Sequence, residues 1–273
     1  MNSENEIILR EDRLRAWFTR KFSKNDPMCK IDGFDIGWGG TARFATSQLS
    51  EYLDPQKNMT ILDVACGYGT FLVEIGWRFP RATLFGLNLD FNPPHNLIFS
   101  LLSQGNVEAG LISADAIQLP LITDYFDCVS CFLGLQDIAI TRGKESLSKV
   151  VSNLLRIVAP GKYLLLLDNL PADIFKTILK SQKQKFEMLL YDTFEAECRW
   201  TREIGEIAVE LYAQGYLQQQ LDSNYPPPDR QQALSKIRKK FAGELENQLR
   251  TQGYYNPWGT MVLFILQKKN TFR

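Results

Sequence analysis

The chain has 273 residues, 45% of them apolar and 23% charged, and its 31 basic and 31 acidic side chains cancel to a net charge of zero. That length buries the core of one large domain, or of a domain with an insertion. The balanced charge provides no general field for a phosphate backbone, so nucleic acid is not an expected partner. No apolar run reaches the roughly 20 residues of a membrane span. The amino terminus lacks the basic-then-apolar build of a signal peptide, so a cytoplasmic location is the default expectation.

In chain order, Leu9, Leu14, Trp17, Phe18 and Phe22 recur at helical intervals among basic residues. A turn-rich break is expected from Asp32-Gly33 to Gly39-Gly40, then a helix with Phe44, Leu49 and Leu53 that Pro55 stops. From Thr60 to Asp168 short apolar runs alternate with helical stretches, the pattern of a βαβ parallel sheet. Strands are predicted at Ile61–Ala65, Thr83–Leu89, Glu108–Ser113, Phe126–Phe132 and Tyr163–Asp168. The intervening helices carry Leu72, Val73 and Ile75, then Leu97, Ile98, Leu101 and Leu102, then Leu147, Val150, Val151, Leu154 and Val158. Asn92-Pro93-Pro94 reads as the cap of the second of these helices, Gly105 as its end, and Pro160-Gly161 as the close of the third.

Beyond Asp168 the alternation breaks. Phe186, Leu190 and Phe194, followed by Trp200, Ile204, Ile207, Ala208, Leu211 and Tyr212, hold a helical stripe. After Pro226-Pro227-Pro228 a further helix carries Leu234, Ile237, Phe241, Leu245 and Leu249, with Lys236, Arg238, Lys239 and Lys240 as a solvated face. A last strand follows at Met261–Leu266. The organisation predicted is a helical segment over 1–54, a sheet core over 55–170, a helical insertion over 171–250 that caps a substrate, and the last strand or strands over 251–273.

Five cysteines without regular spacing make no disulfide framework. Cys128 and Cys131 match C-x-x-C but fall within a predicted strand, where residues three apart face opposite sides, so two buried thiols are expected. A single histidine excludes a histidine-rich metal site, and no metal is implied.

The informative segment is Ile61-Leu62-Asp63-Val64-Ala65-Cys66-Gly67-Tyr68-Gly69-Thr70, an acid in the first strand followed by a glycine turn into the first helix. A dinucleotide site would want a third glycine where Leu72 stands, and Asp63 would repel a pyrophosphate. A cationic ligand reverses that sign. The segment resembles motif I of the class I S-adenosylmethionine-dependent methyltransferases, whose cofactor carries an ammonium and a sulfonium near such a carboxylate.

The resemblance spans Thr60 to Asp168. It extends to Ser113-Ala114-Asp115-Ala116 with Leu119-Pro120, to the Phe126-Asp127 strand start, and to Arg156-Ile157-Val158-Ala159-Pro160-Gly161, with Lys162 in place of a second glycine. It implies a Rossmann-like, doubly wound seven-stranded α/β sheet and S-adenosylmethionine as cofactor, with S-adenosylhomocysteine as product. Cofactor contacts are implied at Asp63, Ala65, Gly67, Gly69, Asn88, Leu89, Asp115, Ala116, Cys131 and Phe132. Asn88 stands where the family has a ribose-binding acid, with Asp90 as the other candidate. Asp115 inherits the adenine-amino contact.

By the same alignment Asp137 is the general base or acceptor-orienting group, unless it only caps a helix. Trp38 and Phe34, in a segment that closes over the cofactor in small-molecule members, are candidate substrate contacts. His95, the lone histidine, is expected away from the methyl acceptor. The implied activity is methyl transfer to O, N or C of a small organic acceptor, apolar or aromatic, of the kind met in secondary metabolism. The alternatives are a protein or RNA methyltransferase and a cofactor-binding protein with other chemistry; a homodimer is compatible with the sequence.

Overall fold

The computed structural model describes residues 38–92, 95–195, 229–256 and 259–270, together with Arg202, Gly205, Glu206, Val209, Glu210, Ala213 and Leu217. Two compact units divide the chain: Trp38–Ala196 joins Trp258–Arg273 in the first, and Glu197–Pro257 belongs to the second.

The first unit opens with α1 (Trp38–Leu49) and β1 (Met59–Val64), followed by α2 (Thr70–Arg78) and β2 (Ala82–Asn88). Next come α3 (Leu97–Gly105), β3 (Ala109–Ser113), β4 (Phe126–Phe132) and α4 (Leu135–Arg142). Then follow α5 (Leu147–Ile157), β5 (Val158–Asp168), α6 (Ala172–Lys180) and β6 (Phe186–Glu195). After α7 (Arg230–Gln252), which lies in the second unit, β7 (Thr260–Lys268) completes the sheet.

The seven strands are ordered β3-β2-β1-β4-β5-β7-β6, with β7 antiparallel to both neighbours and the rest of the pairs parallel. The expected doubly wound seven-stranded sheet is thus present. Helices cover both faces of its parallel part, so its strands are apolar runs: Leu164, Leu165, Leu166 and Leu167 are all fully buried. Burial of each such side chain contributes about 1.5–3 kcal/mol. The chain runs outward from β1 to β3 and returns to β4, which leaves a crevice beyond the carboxyl ends of β1 and β4, where this class of sheet binds ligands.

Several expected boundaries are corrected. Gly39 and Gly40 lie within α1 instead of a loop; they occupy its first turn, and the buried stripe Ala42, Ala45 and Leu49 sets the helical period that follows. Asn92 does not cap α3, which starts at Leu97 after Asn96; the helix ends at Gly105 as expected, with Asn106 following in the left-handed region at φ 52°. Pro160-Gly161 does not separate helix from strand. β5 begins at Val158, and a register shift against β4 absorbs the pair: Val158 faces Phe126 and Tyr163 faces Cys128.

The largest correction concerns Phe186, Leu190 and Phe194. They lie on β6, so the segment 171–250 is not helical throughout and the helical part enters between β6 and β7. A spacing of four fits a helix, and in β6 it spans a register shift between Met188 and Leu190, so Leu190 and Phe194 share one side and Phe186 the other. Trp200, Ile204, Ile207, Ala208, Leu211, Tyr212 and residues 1–37 lie outside the described residues. In the second unit Asp229 caps α7 by accepting from the Gln232 amide, and Ala213, Leu217 and Ile237 form a small core. Arg238 pairs with Glu210, while Lys236, Lys239 and Lys240 stay exposed.

Lys162, which stands where the resembled family has a glycine, places Nζ 2.7 Å from Asp127 Oδ1, and Asp127 Oδ2 accepts from the Thr60 amide at 2.9 Å. Burial works to raise the Asp127 carboxyl, but Lys162 and Thr60 outweigh it and hold the group below the usual carboxylate range. This clasp ties the starts of β1 and β4 to Lys162 of β5 at neutral pH and is lost as pH falls through that depressed value.

Cys66, Cys128 and Cys131 are free and buried, as expected for Cys128 and Cys131, and burial pushes all three thiols up. Alkylation at pH 8 followed by peptide mapping is therefore expected to leave these three unmodified until the protein is unfolded. Modification of any of them in the native state would contradict the packing. Among the described residues no helix is long and apolar enough to cross a membrane, and no group of three His, Cys, Asp or Glu side chains is placed to hold a metal ion.

Candidate active site

A cavity of about 340 Å³ opens at the crevice. Four segments build it: the loop after β1 (Ala65, Gly67), the end of β2 and its loop (Leu87, Asn88, Leu89, His95), the segment after β3 (Ala114, Asp115, Ala116), and one side of α4 (Asp137, Ile138, Thr141, Arg142). Thus Ala65, Gly67, Asn88, Leu89, Asp115, Ala116 and Asp137, far apart in sequence, share one wall.

The loop after β1 follows from its backbone. Ala65, Gly67 and Gly69 take φ of 58°, 53° and 89°. A side chain at Gly67 would meet nothing within 4 Å, so that face is open to a ligand; one at Gly69 would come within 2.7 Å of Ile98. Gly69 precedes the first turn of α2, whose free amides favour an anionic group there.

Asp63 is not part of the cavity wall. It is almost wholly buried on β1, opposite Ser130 on β4, whose hydroxyl donates to Oδ1 at 2.7 Å. Oδ2 is buried with no hydrogen bond made to it, as is Thr70 Oγ1 just past Gly69. Burial pushes the Asp63 carboxyl up to about 8, against the opposing pull of Ser130 and the Phe132 amide. Two unsatisfied polar atoms therefore flank the glycine loop, each a group whose desolvation is left uncompensated.

Asp115 caps the short turn at Ala116–Gln118 through Oδ1, which accepts from the Ile117 amide at 2.9 Å, while Oδ2 pairs with Arg142 at 3.1 Å. Both oxygens therefore have protein partners. Asp137 does not cap α4. Gly134 holds the N-cap position, and a first-turn amide is taken instead by Asp168 at the end of β5, fully buried, whose Oδ2 accepts from the Gln136 amide at 3.0 Å and Oδ1 from the Asn169 amide at 2.8 Å. Burial pushes Asp168 up to about 7, opposed by the Gln136 amide and reinforced by the Asp137 carboxylate. The Asp137 side chain reaches solvent, but protein atoms crowd it at the cavity; that desolvation raises its carboxyl above the ordinary range, with charge on His95 acting the other way.

Cys131 is fully buried in the core, and Phe132 stacks on Phe71 with centroids 4.6 Å apart; neither lines the cavity. Trp38 is the first residue of α1, and Phe34 lies outside the described residues. Sequence reasoning missed Ser130, Asp168, Thr141 and Arg142, and it set His95 aside. In the structure His95 lines the same cavity, with Nδ1 3.8 Å from Asp90. Of these, only His95 carried a visible signal, as the lone histidine of the chain.

A doubly wound sheet with a glycine loop at its switch point is the kind of site at which open α/β sheets bind ligands. Residues 62–166 match the family described as methyltransferase domain. The demethylmenaquinone methyltransferase of Deinococcus radiodurans is 30% identical over 144 residues, 50% of this chain and 51% of that protein. The chain thus spans about half the length of this curated relative. Solved structures similar in fold include the cyclase SpnF, 14% identical with TM-score 0.53 over 85% of this chain and 82% of that one. They also include the YcgJ protein of Bacillus subtilis, 12% identical with TM-score 0.52 over 83% and 99%. Residues 62–166 thus match a methyltransferase domain, set on a fold shared with these solved structures.

Proposed function

We propose that the protein transfers a methyl group from S-adenosylmethionine to a small organic acceptor. The observation that carries this reading is the cavity at the switch point, whose glycine loop is flanked by the unsatisfied Asp63 Oδ2 and Thr70 Oγ1. A buried carboxyl with one unfilled oxygen gains by ionising beside a cationic ligand and has no such gain beside a pyrophosphate, so the residues present suit this cofactor. Asp63, Gly67 and Gly69 would hold its amino-acid end, Asn88 or Asp90 its ribose, and Leu89, Asp115 and Ala116 its adenine. When bound, it supplies a methyl carbon activated by the adjacent sulfonium. The chain's own part is to bind and align, to exclude water and, where the acceptor is an acid, to remove a proton.

We assign that proton to Asp137, whose raised carboxyl makes it a better base than an ordinary aspartate. Turnover of a protonated acceptor should rise with pH through the Asp137 titration, above the usual carboxylate range. Asp137→Asn should lower turnover by about 100-fold or more while leaving S-adenosylhomocysteine binding within a few-fold. Turnover within a few-fold of wild type would remove Asp137 from this role.

The fold also carries a cyclase, so the fold alone does not fix the chemistry. The name of the Deinococcus relative puts reduced naphthoquinones first among acceptors to try. The test is to incubate the protein with S-adenosylmethionine and a panel of such quinols, phenols and amines. Release of S-adenosylhomocysteine together with a product heavier by one methylene supports methyl transfer. Conversion of an acceptor without that release supports cofactor-dependent chemistry of another kind.

A further inference from the structure

We propose that Asn88 is a positioning residue that clamps the glycine loop, rather than the direct ribose reader that the place of an acid at this position would suggest. The inference deepens the cofactor-site reading above and rests on it for its ligand-binding arm only. Asn88 ends β2 and is almost fully buried. Its Oδ1 accepts from the Gly67 amide at 3.0 Å, and its Nδ2 donates to the Gly67 carbonyl at 3.0 Å. The side-chain amide thus closes a two-point ring with the backbone of a residue held at φ +53°, where an added Cβ would meet nothing within 4 Å. The loop is further tied by Cys66 N–H to the Leu87 carbonyl and Gly69 N–H to the Cys66 carbonyl. These two bonds leave Gly67 itself to Asn88.

An amide makes both contacts at neutral pH, where a carboxylate does not. An ionised aspartate at position 88 has no donor for the Gly67 carbonyl and would set a negative oxygen against it. A protonated aspartic acid regains both contacts, because its hydroxyl donates and its carbonyl accepts. The clamp therefore makes a prediction opposite to that of a ribose-reading acid, which loses an acceptor when it is protonated. Asp137, His95 and the Asp115–Arg142 pair face the same cavity, Asp63 lies on the strand before the loop, and Asp90 follows Asn88. All are shared by wild type and variant, so the ratio of their affinities isolates position 88.

The experiment has two arms, both on the full chain. In the first, amide exchange is followed in the ligand-free protein. Asn88→Ala should speed exchange of the Gly67 amide by about tenfold or more relative to the amides of β1, whereas unchanged exchange would overturn the clamp. In the second, titration with S-adenosylhomocysteine compares wild type with Asn88→Asp between pH 5 and 8. The variant should bind about tenfold or more weakly at pH 8, and the deficit should shrink as pH falls. A variant that binds as well as wild type at pH 8, or whose deficit grows at low pH, would overturn the proposal. If wild type bound no S-adenosylhomocysteine, the functional reading would fail, and the exchange arm would still decide the clamp.

Discussion

Asp63→Asn is expected to weaken S-adenosylhomocysteine binding by about 10- to 100-fold without unfolding the protein. Asparagine keeps an acceptor for the Ser130 hydroxyl, which donates to Oδ1 at 2.7 Å, and fills nearly the same volume, so the core around β1 stays packed. What it loses is the charge that a cationic ligand would stabilise. The buried carboxyl sits at about 8, so at pH 7 the ligand-free protein holds a proton there that a bound cation should expel. Calorimetry in buffers of different ionisation enthalpy should therefore detect proton release on binding by wild type, smaller in Asp63→Asn.

Stability carries the matching sign. A carboxyl raised in the folded state favours the fold fully below its unfolded value near 3.8, and that contribution is lost as pH rises through about 8. Asp63→Asn should remove this slope and be more stable than wild type above pH 8. Unchanged affinity together with an unchanged pH slope would contradict the assignment of Asp63.

Gly134→Ala should be the most disruptive single-methyl change near the site. Gly134 lies at φ −100°, which alanine adopts freely, so any loss comes from space alone. Its added Cβ would fall 2.5 Å from the Ala65 Cβ and 3.0 Å from Cys131 Sγ. Ala65 cannot yield easily, since it already holds a left-handed φ of 58°, a conformation that costs a non-glycine residue about 1–2 kcal/mol. Overpacking of this kind destabilises by about 1–3 kcal/mol, and here it would displace the loop after β1 or the start of α4, both of which line the cavity.

Ala65→Gly removes the opposing methyl and relieves the strained φ, at the expense of a more flexible unfolded chain, so alone it should be near neutral. The double variant Ala65→Gly/Gly134→Ala should recover most of the lost stability and affinity. Thermal denaturation and S-adenosylhomocysteine titration of the four proteins form a double-mutant cycle with a coupling of about 1 kcal/mol or more. Additive effects would mean that the two residues do not exclude each other.

The cavity was legible in the sequence wherever the signal is local. The turn from Asp63 to Thr70 states its own geometry in its glycines, and Asn88 and Asp115 stand at fixed distances from strand ends that apolar runs reveal. Phe186, Leu190 and Phe194 read as helical because a four-residue step fits a helix; only pairing with β7, whose register shifts between Met188 and Leu190, shows the strand. Asp168 gives no signal in the sequence, since its bond to the Gln136 amide in the first turn of α4 exists only once β5 lies beside β4. His95 was set aside on its place after β2, yet the chain returns it to the rim. What Asn88 does, as opposed to where it stands, was hidden because its partner, the Gly67 backbone, lies across a strand crossover.

The central claim is that the cavity at the switch point takes S-adenosylmethionine rather than a dinucleotide. Isothermal titration of the purified, ligand-free full chain with S-adenosylhomocysteine, and separately with a reduced nicotinamide dinucleotide, tests it most directly. Micromolar binding of S-adenosylhomocysteine at one site per chain is expected, with no heat from the dinucleotide. Dinucleotide binding by folded protein that ignores S-adenosylhomocysteine would contradict it.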